Sequence, residues 1–177
     1  MARIVSPVTA TKKGLSQPDV QWLSSDEQEA WRAVSLMFLQ LPGPLDAQLR
    51  RDSGITLFEY LVLSYLSMAP GRTLRMSELA EVVNGSLSRL SNVAKRLEQR
   101  GWLRREPDPC DGRYTVAHLT DTGWHLVRDA APGHVDAVRR LVIDPLTDTQ
   151  LRTLSAIGRR LRKSLDEADP TGGSDSC

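Results

Sequence analysis

Residues 75–123, RMSELAEVVNGSLSRLSNVAKRLEQRGWLRREPDPCDGRYTVAHLTDTG, constrain the fold more than any other part of the chain. A short amphipathic run stops at Asn84-Gly85, a dipeptide suited to a tight turn, and a longer one follows as far as Gly101. Residues 102–106 and 114–119 then alternate apolar and polar, as strands do. Between them Pro107-Asp108-Pro109-Cys110-Asp111-Gly112-Arg113 is built from turn formers. The order read is helix, tight turn, helix and β-hairpin: a helix-turn-helix followed by a wing.

The second helix carries the functional reading. Ser86 suits its N-cap and Gly101 the left-handed position after its end. Leu87, Leu90, Val93, Ala94 and Leu97 recur at three- and four-residue steps and predict one apolar stripe. At about 100° per residue, Ser88, Arg89, Asn92, Lys95, Arg96 and Gln99 fall mainly on the other side. The helix's one acid, Glu98, lies near the apolar stripe. Such a helix suits a major groove, where Arg reads guanine, Asn reads adenine and Lys neutralises phosphate. A solvated amphipathic helix with ordinary surface charge is the alternative. The wing favours the groove, because a hairpin tip carrying Arg113 reaches the adjacent minor groove or its phosphates.

The run from Leu79 to Gly123 resembles the winged helix-turn-helix of MarR-family transcriptional regulators. The matching marks are a basic recognition helix, Arg96-Leu97-Glu98-x-Arg100-Gly101 into the first wing strand, Asp111-x-Arg113 at the tip, and Leu119-Thr120-x-x-Gly123 opening the next helix. The resemblance extends less distinctly over residues 24–166. It implies a mainly α fold with a small β-hairpin wing: a winged helix-turn-helix domain plus N- and C-terminal dimerisation helices. It also implies a homodimer on double-stranded DNA whose operator affinity responds to a small ligand. By the same resemblance Arg113 enters the minor groove while Asp111 orients its basic neighbours. The DNA-binding set read here is Arg75, Ser86, Ser88, Arg89, Asn92, Lys95, Arg96, Asp111 and Arg113.

Charge and cysteine content agree with that reading. The chain has 177 residues and a net charge of only +1, so attraction to nucleic acid must come from local patches. Residues 75–105 supply one, with seven Arg and Lys against three Glu. No apolar run approaches the roughly 18 residues of a membrane span, and the N-terminus lacks the apolar core of a signal peptide. Two cysteines make no disulfide framework. A reducing cytoplasm, away from membranes, is the expected home.

Along the chain, residues 1–23 read as a flexible arm and residues 24–55 as N-terminal dimerisation helices. The first helix is expected from Ser25, with Gln28 completing a capping box. Trp31, Val34, Phe38 and Leu41 form its stripe, and Pro42-Gly43-Pro44 breaks it. Residues 56–122 form the winged domain, opened by the Thr56–Glu59 capping box, with residues 73–75 as a short strand against the wing. Residues 123–166 are the C-terminal dimerisation helices, the first capped by Thr120 and kinked at Pro132-Gly133, the second capped by Thr147. Leu151, Leu154, Gly158, Leu161 and Leu165 lie close to a heptad seam. Residues 167–177 read as a disordered tail.

Other sites are weaker. Cys110 invites a redox reading, but Asp108 and Asp111 beside it disfavour a thiolate. His118, His125 and His134 lack a ligand-like cluster, so no metal and no cofactor is expected. The resemblance implies a pocket for small aromatic ligands between winged and dimerisation regions, near Trp31, Tyr60 and Trp124. Aromatics at helical spacing are more often packing than a pocket. No nucleophile–base pairing or phosphate-cradling loop is present, so no catalytic residue is assigned. The function read is sequence-specific, dimeric binding of pseudo-palindromic operators by a repressor; a winged-helix protein-interaction module is the alternative.

Overall fold

Capping chemistry divides the chain into its helices. The computed structural model describes residues 20–168, which fall into two compact units, one ending at Met37 and the other beginning at Phe38. Most of α1 (Ser25–Gln40) lies in the first and buries none of its residues. Its cap is Ser24 rather than Ser25: the Glu27 amide donates to Ser24 Oγ, and the Ser24 amide donates to Glu27 Oε2 at 2.7 Å. Both serines fit the capping-box spacing, and the ionised Glu27 is the stronger acceptor.

The second unit opens with α2 (Pro42–Ser53) and α3 (Leu57–Met68), joined through Gly54 at φ 66°. Thr56 caps α3 by the expected box: Glu59 N–H donates to Thr56 Oγ1, and Thr56 N–H donates to Glu59 Oε2. A 3-10 turn at Pro70–Arg72 leads into β1 (Thr73–Arg75), α4 (Met76–Val82) and α5 (Leu87–Gln99). Then come β2 (Leu103–Pro107) and β3 (Thr115–Leu119). The strands form one antiparallel sheet in the order β1-β3-β2, with Leu74 opposite Ala117 and Arg105 opposite Ala117 on the other side.

Thr120 caps α6 (Asp121–Val138), which packs on α2 and α3. The helix extends through Pro132-Gly133, the site of the expected kink. A π turn follows at Arg139–Ile143, closed by Asp144 N–H to Arg139 C=O. Pro132 is exposed and offers no N–H to the carbonyl of Arg128 one turn earlier. Thr147 and Gln150 then cap α7 (Asp148–Ala168), which carries helix two residues into the expected tail and buries none of its side chains. The remaining tail and most of the expected N-terminal arm lie outside the described residues.

The core gathers the apolar faces of α3, α4 and α5 beneath the sheet. Leu49, Val62, Leu63, Leu66, Leu79, Leu90, Ala94, Leu97 and Ala117 are fully buried in it. Burial of each such leucine contributes about 1.5–3 kcal/mol. The stripe on α5 is shorter than its periodicity suggests: Leu87 stays 52% exposed, and the buried stripe begins at Leu90. No described helix is long and apolar enough to cross a membrane.

Candidate nucleic-acid interface

The helix-turn-helix is set by two backbone conformations. Asn84 takes φ 49° between α4 and α5, and the Gly85 amide closes the turn on the Ala80 carbonyl. Ser86 Oγ then accepts from the Arg89 amide at 3.2 Å and fixes the start of α5. Gly101, at φ 72°, ends α5 with its N–H on Glu98 C=O, while Trp102 N–H reaches Leu97 C=O. This paired closure is the Schellman motif, and it aims the chain directly into the wing.

Between these ends α5 buries Leu90, Val93, Ala94 and Leu97 and exposes Ser88, Arg89, Asn92, Lys95 and Arg96, with Ser86 exposed at the cap. Glu98 is turned off that surface. It accepts the Arg105 backbone N–H at 2.8 Å and holds the Arg105 guanidinium in two further bonds, so it ties α5 to β2. The exposed face therefore keeps no carboxylate of its own helix. Arg96 lies 3.4 Å from Glu59 on α3, whereas Lys95 makes no ion pair among the described residues.

The wing tip is organised by two aspartates. Asp111 accepts the Arg113 backbone amide and its guanidinium, holding that arginine at the tip with its side chain 84% exposed. That bonding keeps the Asp111 carboxyl below the usual carboxylate range. Asp108 is only 7% exposed; its carboxylate accepts the Cys110 amide at 2.8 Å and the Arg75 Nε at 2.6 Å. The Cys110 bond and then Arg75 lower its pKa. Arg75 was expected at the phosphates. Its side chain is instead 17% exposed, turned onto Asp108 and stacked on Tyr114 at 4.8 Å, so it fastens the start of α4 to the wing.

The Leu119-Thr120-x-x-Gly123 run joins wing to helix. Thr120 Oγ1 donates to Gly101 C=O at 2.7 Å and accepts from Gly123 N–H at 3.0 Å. Thr120 N–H donates to Trp102 C=O at 3.1 Å. Gly123 is required there, because a Cβ would stand 2.1 Å from the Trp102 carbonyl oxygen.

A cleft of about 800 Å³ lies between α2, α3 and α5, lined among others by Leu57, Phe58, Leu61, Arg89, Asn92 and Arg96. Asp46 neutralises Arg50 on one wall and also accepts the Leu57 amide. The three aromatics expected around a ligand do not line this cleft. Tyr60 is buried against His134 with ring centroids 4.5 Å apart, Trp124 packs beside Arg72, and Trp31 lies exposed on α1. Sequence reading passed over Phe58, Glu59 and Asp108 as partners of these arginines. All three act across long sequence separations, and only their capping or turn chemistry is local. Among the described residues no group of three or more His, Cys, Asp or Glu side chains is placed to hold a metal. Cys110 is exposed at the tip.

This architecture matches known regulators. A family model described as the MarR family matches residues 53–113. Sco3205, a MarR family transcriptional regulator from Streptomyces coelicolor solved in complex with DNA, is 44% identical with a TM-score of 0.77, covering 81% of this chain and 94% of that one. AbsC, a MarR family transcriptional regulator from the same organism, is 35% identical with a TM-score of 0.77, over 84% of this chain and 99% of its own. The transcriptional repressor MprA of Escherichia coli strain K12 is 26% identical over 122 residues, 69% of each protein. With its helix-turn-helix, its three-stranded wing and these relatives, the chain belongs to the MarR family and is a DNA-binding transcriptional regulator.

Proposed function

We propose that the protein is a cytoplasmic repressor that binds a pseudo-palindromic operator as a homodimer. In this reading α5 enters the major groove, with Arg89 and Asn92 on base edges and Ser86, Ser88, Lys95 and Arg96 on bases or phosphates. Arg113 reaches the neighbouring minor groove, held by Asp111. Arg75 acts indirectly, by fixing the wing to α4. The observation that carries the reading is the acid-free exposed face of α5 beside a wing tip that presents an arginine 84% exposed.

Two features support the homodimer. Neither α1 nor α7 buries any of its residues, although α7 exposes Ile157, Leu161 and Leu165 along one side. A second copy supplies the cover such faces need, and it sets two recognition helices about 10 base pairs apart on the DNA. Repression follows the naming of MprA as a repressor. Its action in this reading is binding rather than catalysis, supported by relatives that are named as transcriptional regulators. A small aromatic anion is the ligand that the α2–α3–α5 cleft suits, since Leu57, Phe58 and Leu61 offer apolar walls and Arg89 a cation. Bound there, it draws Arg89 away from DNA and releases the operator.

Selection of bound duplexes from a random pool at physiological salt tests this. The expected result is a pseudo-palindrome with half-sites about one helical turn apart. Arg89→Ala and Asn92→Ala should each cost about 1–3 kcal/mol on that sequence and relax one base position. Bulk, salt-sensitive binding without enrichment would overturn sequence-specific reading and favour a protein-interaction module.

A further inference from the structure

We propose that Phe58, a residue of α3 outside the recognition helix, sets the base preference of the regulator by positioning Arg89. The inference rests on the reading above that α5 enters the major groove. Arg89 is the third residue of α5, in the first turn, and the N-terminal residues of a recognition helix are those that meet base edges. Its guanidinium carbon lies 4.0 Å from the centre of the Phe58 ring, the shortest arginine–aromatic stacking among the described residues. No carboxylate pairs with Arg89 among the described residues, so the ring and the first-turn backbone are what restrain it.

The kind of restraint matters. Arg96, seven residues on, directs one N–H donor at the Glu59 carboxylate. A guanidinium held over an aromatic ring meets no hydrogen-bond acceptor there, so its fork of N–H donors stays unspent. That fork is what binds guanine O6 and N7 bidentately. Phe58 thus orients Arg89 without competing for the groups that read the base. It also narrows the rotamers of a long side chain before DNA arrives, which favours one base position over its neighbours.

Phe58 is itself fixed. It follows the Thr56 cap by two residues, inside the Thr56–Glu59 box, and packs on the core. The tip of its ring lies 2.9 Å from where a Cβ on Gly85 would stand, so the turn of the helix-turn-helix rests on it. One ring therefore touches both the turn that aims α5 and the first basic side chain on its exposed face.

The test uses the full-length protein, the selected operator, its single-base variants and a non-specific duplex. Phe58→Leu should reduce discrimination about 3- to 10-fold, and only at the base pair where Arg89→Ala also relaxes it. Phe58→Tyr, which keeps the π face, should restore it. Affinity for non-specific DNA and the slope of log affinity against log salt should hold, because no phosphate contact is lost. Should Phe58→Leu fail to fold, Phe58→Met keeps an adaptable apolar side chain without the π face and carries the same comparison. Equal loss on every duplex, tracking a fall in melting temperature, would make Phe58 a packing residue and overturn the proposal. So would unchanged discrimination in Phe58→Leu while Arg89→Ala relaxes a base. If Arg89→Ala itself relaxes none, base reading by Arg89 fails first, and the two failures are thereby told apart.

Discussion

Replacing Gly123 by alanine tests how tightly the wing and α6 are joined. A Cβ at this position meets the Trp102 carbonyl oxygen at 2.1 Å, Leu119 Cδ1 at 2.8 Å and the Trp102 carbonyl carbon at 2.9 Å. Leu119 can change rotamer, but the Trp102 backbone cannot yield alone, because Trp102 N–H is bound to Leu97 C=O in the closure of α5. Relief requires α6 to retreat by about 1 Å from the 101–102 peptide. That movement stretches Thr120 Oγ1 to Gly101 C=O and Thr120 N–H to Trp102 C=O. Two weakened hydrogen bonds cost about 0.5–1.5 kcal/mol each, and overpacking about 1–3 kcal/mol. Alanine returns about 1 kcal/mol of helix propensity. The net is a loss of about 1–5 kcal/mol, or about 2–20 °C in melting temperature for a chain of this size. Thermal unfolding followed by circular dichroism, at fixed protomer concentration, measures it. Gly112→Ala is the control, since nothing lies within 4 Å of a Cβ there and its backbone is not left-handed; it should leave the melting temperature unchanged. A Gly123→Ala protein as stable as its parent would show that propensity outweighs the close approach and refute the argument.

Two further outcomes concern the wing. Arg113→Ala should weaken operator binding and make the slope of log affinity against log salt shallower by about one unit, as loss of one phosphate-neutralising cation requires; an unchanged slope would remove Arg113 from the DNA backbone. The Asp108 carboxyl is lowered in the folded protein by the Cys110 amide and Arg75, so its contribution is fully present above the ordinary value of 3.8 and is lost as pH falls below it. Acid unfolding of Asp108→Asn should accordingly be less steep on that limb than the parent's, with faster amide exchange at Cys110; identical acid limbs would refute the pairing.

What was legible in the sequence is what local chemistry decides. Ser86, Thr56, Thr120 and Thr147 cap helices through atoms three residues on, and Gly101 takes its left-handed angle where α5 ends. Each of these can be read from a few neighbouring letters. The adjacent pair Ser24 and Ser25 marks the limit of that method. Both have an acceptor three residues on, and only the strength of the Glu27 carboxylate, with the Gln28 side chain diverted to the Leu23 carbonyl, selects Ser24. Arg75 escaped the reading for another reason. Its partner Asp108 lies across the wing, and nothing near either residue distinguishes an arginine that faces phosphate from one buried against an aspartate. The same holds for Phe58 and Arg89, whose juxtaposition depends on how α3 and α5 pack.

The stripes on α1 and α7 show a third kind of limit. Their periodicity was visible, and the structure leaves both uncovered, because a single chain encodes the existence of an apolar face but not the surface that meets it. Operator symmetry can supply what the chain omits. A two-fold protein selects two-fold DNA, whereas a monomer selects one half-site, so the selected sequence reports on the partner as well as on the base readers. One recognition helix and wing bury too little surface for a typical specific affinity. In the proposed homodimer, covering α1 and α7 and reading DNA specifically are one requirement, and substitutions that disrupt those faces should cost operator binding without touching a single DNA contact.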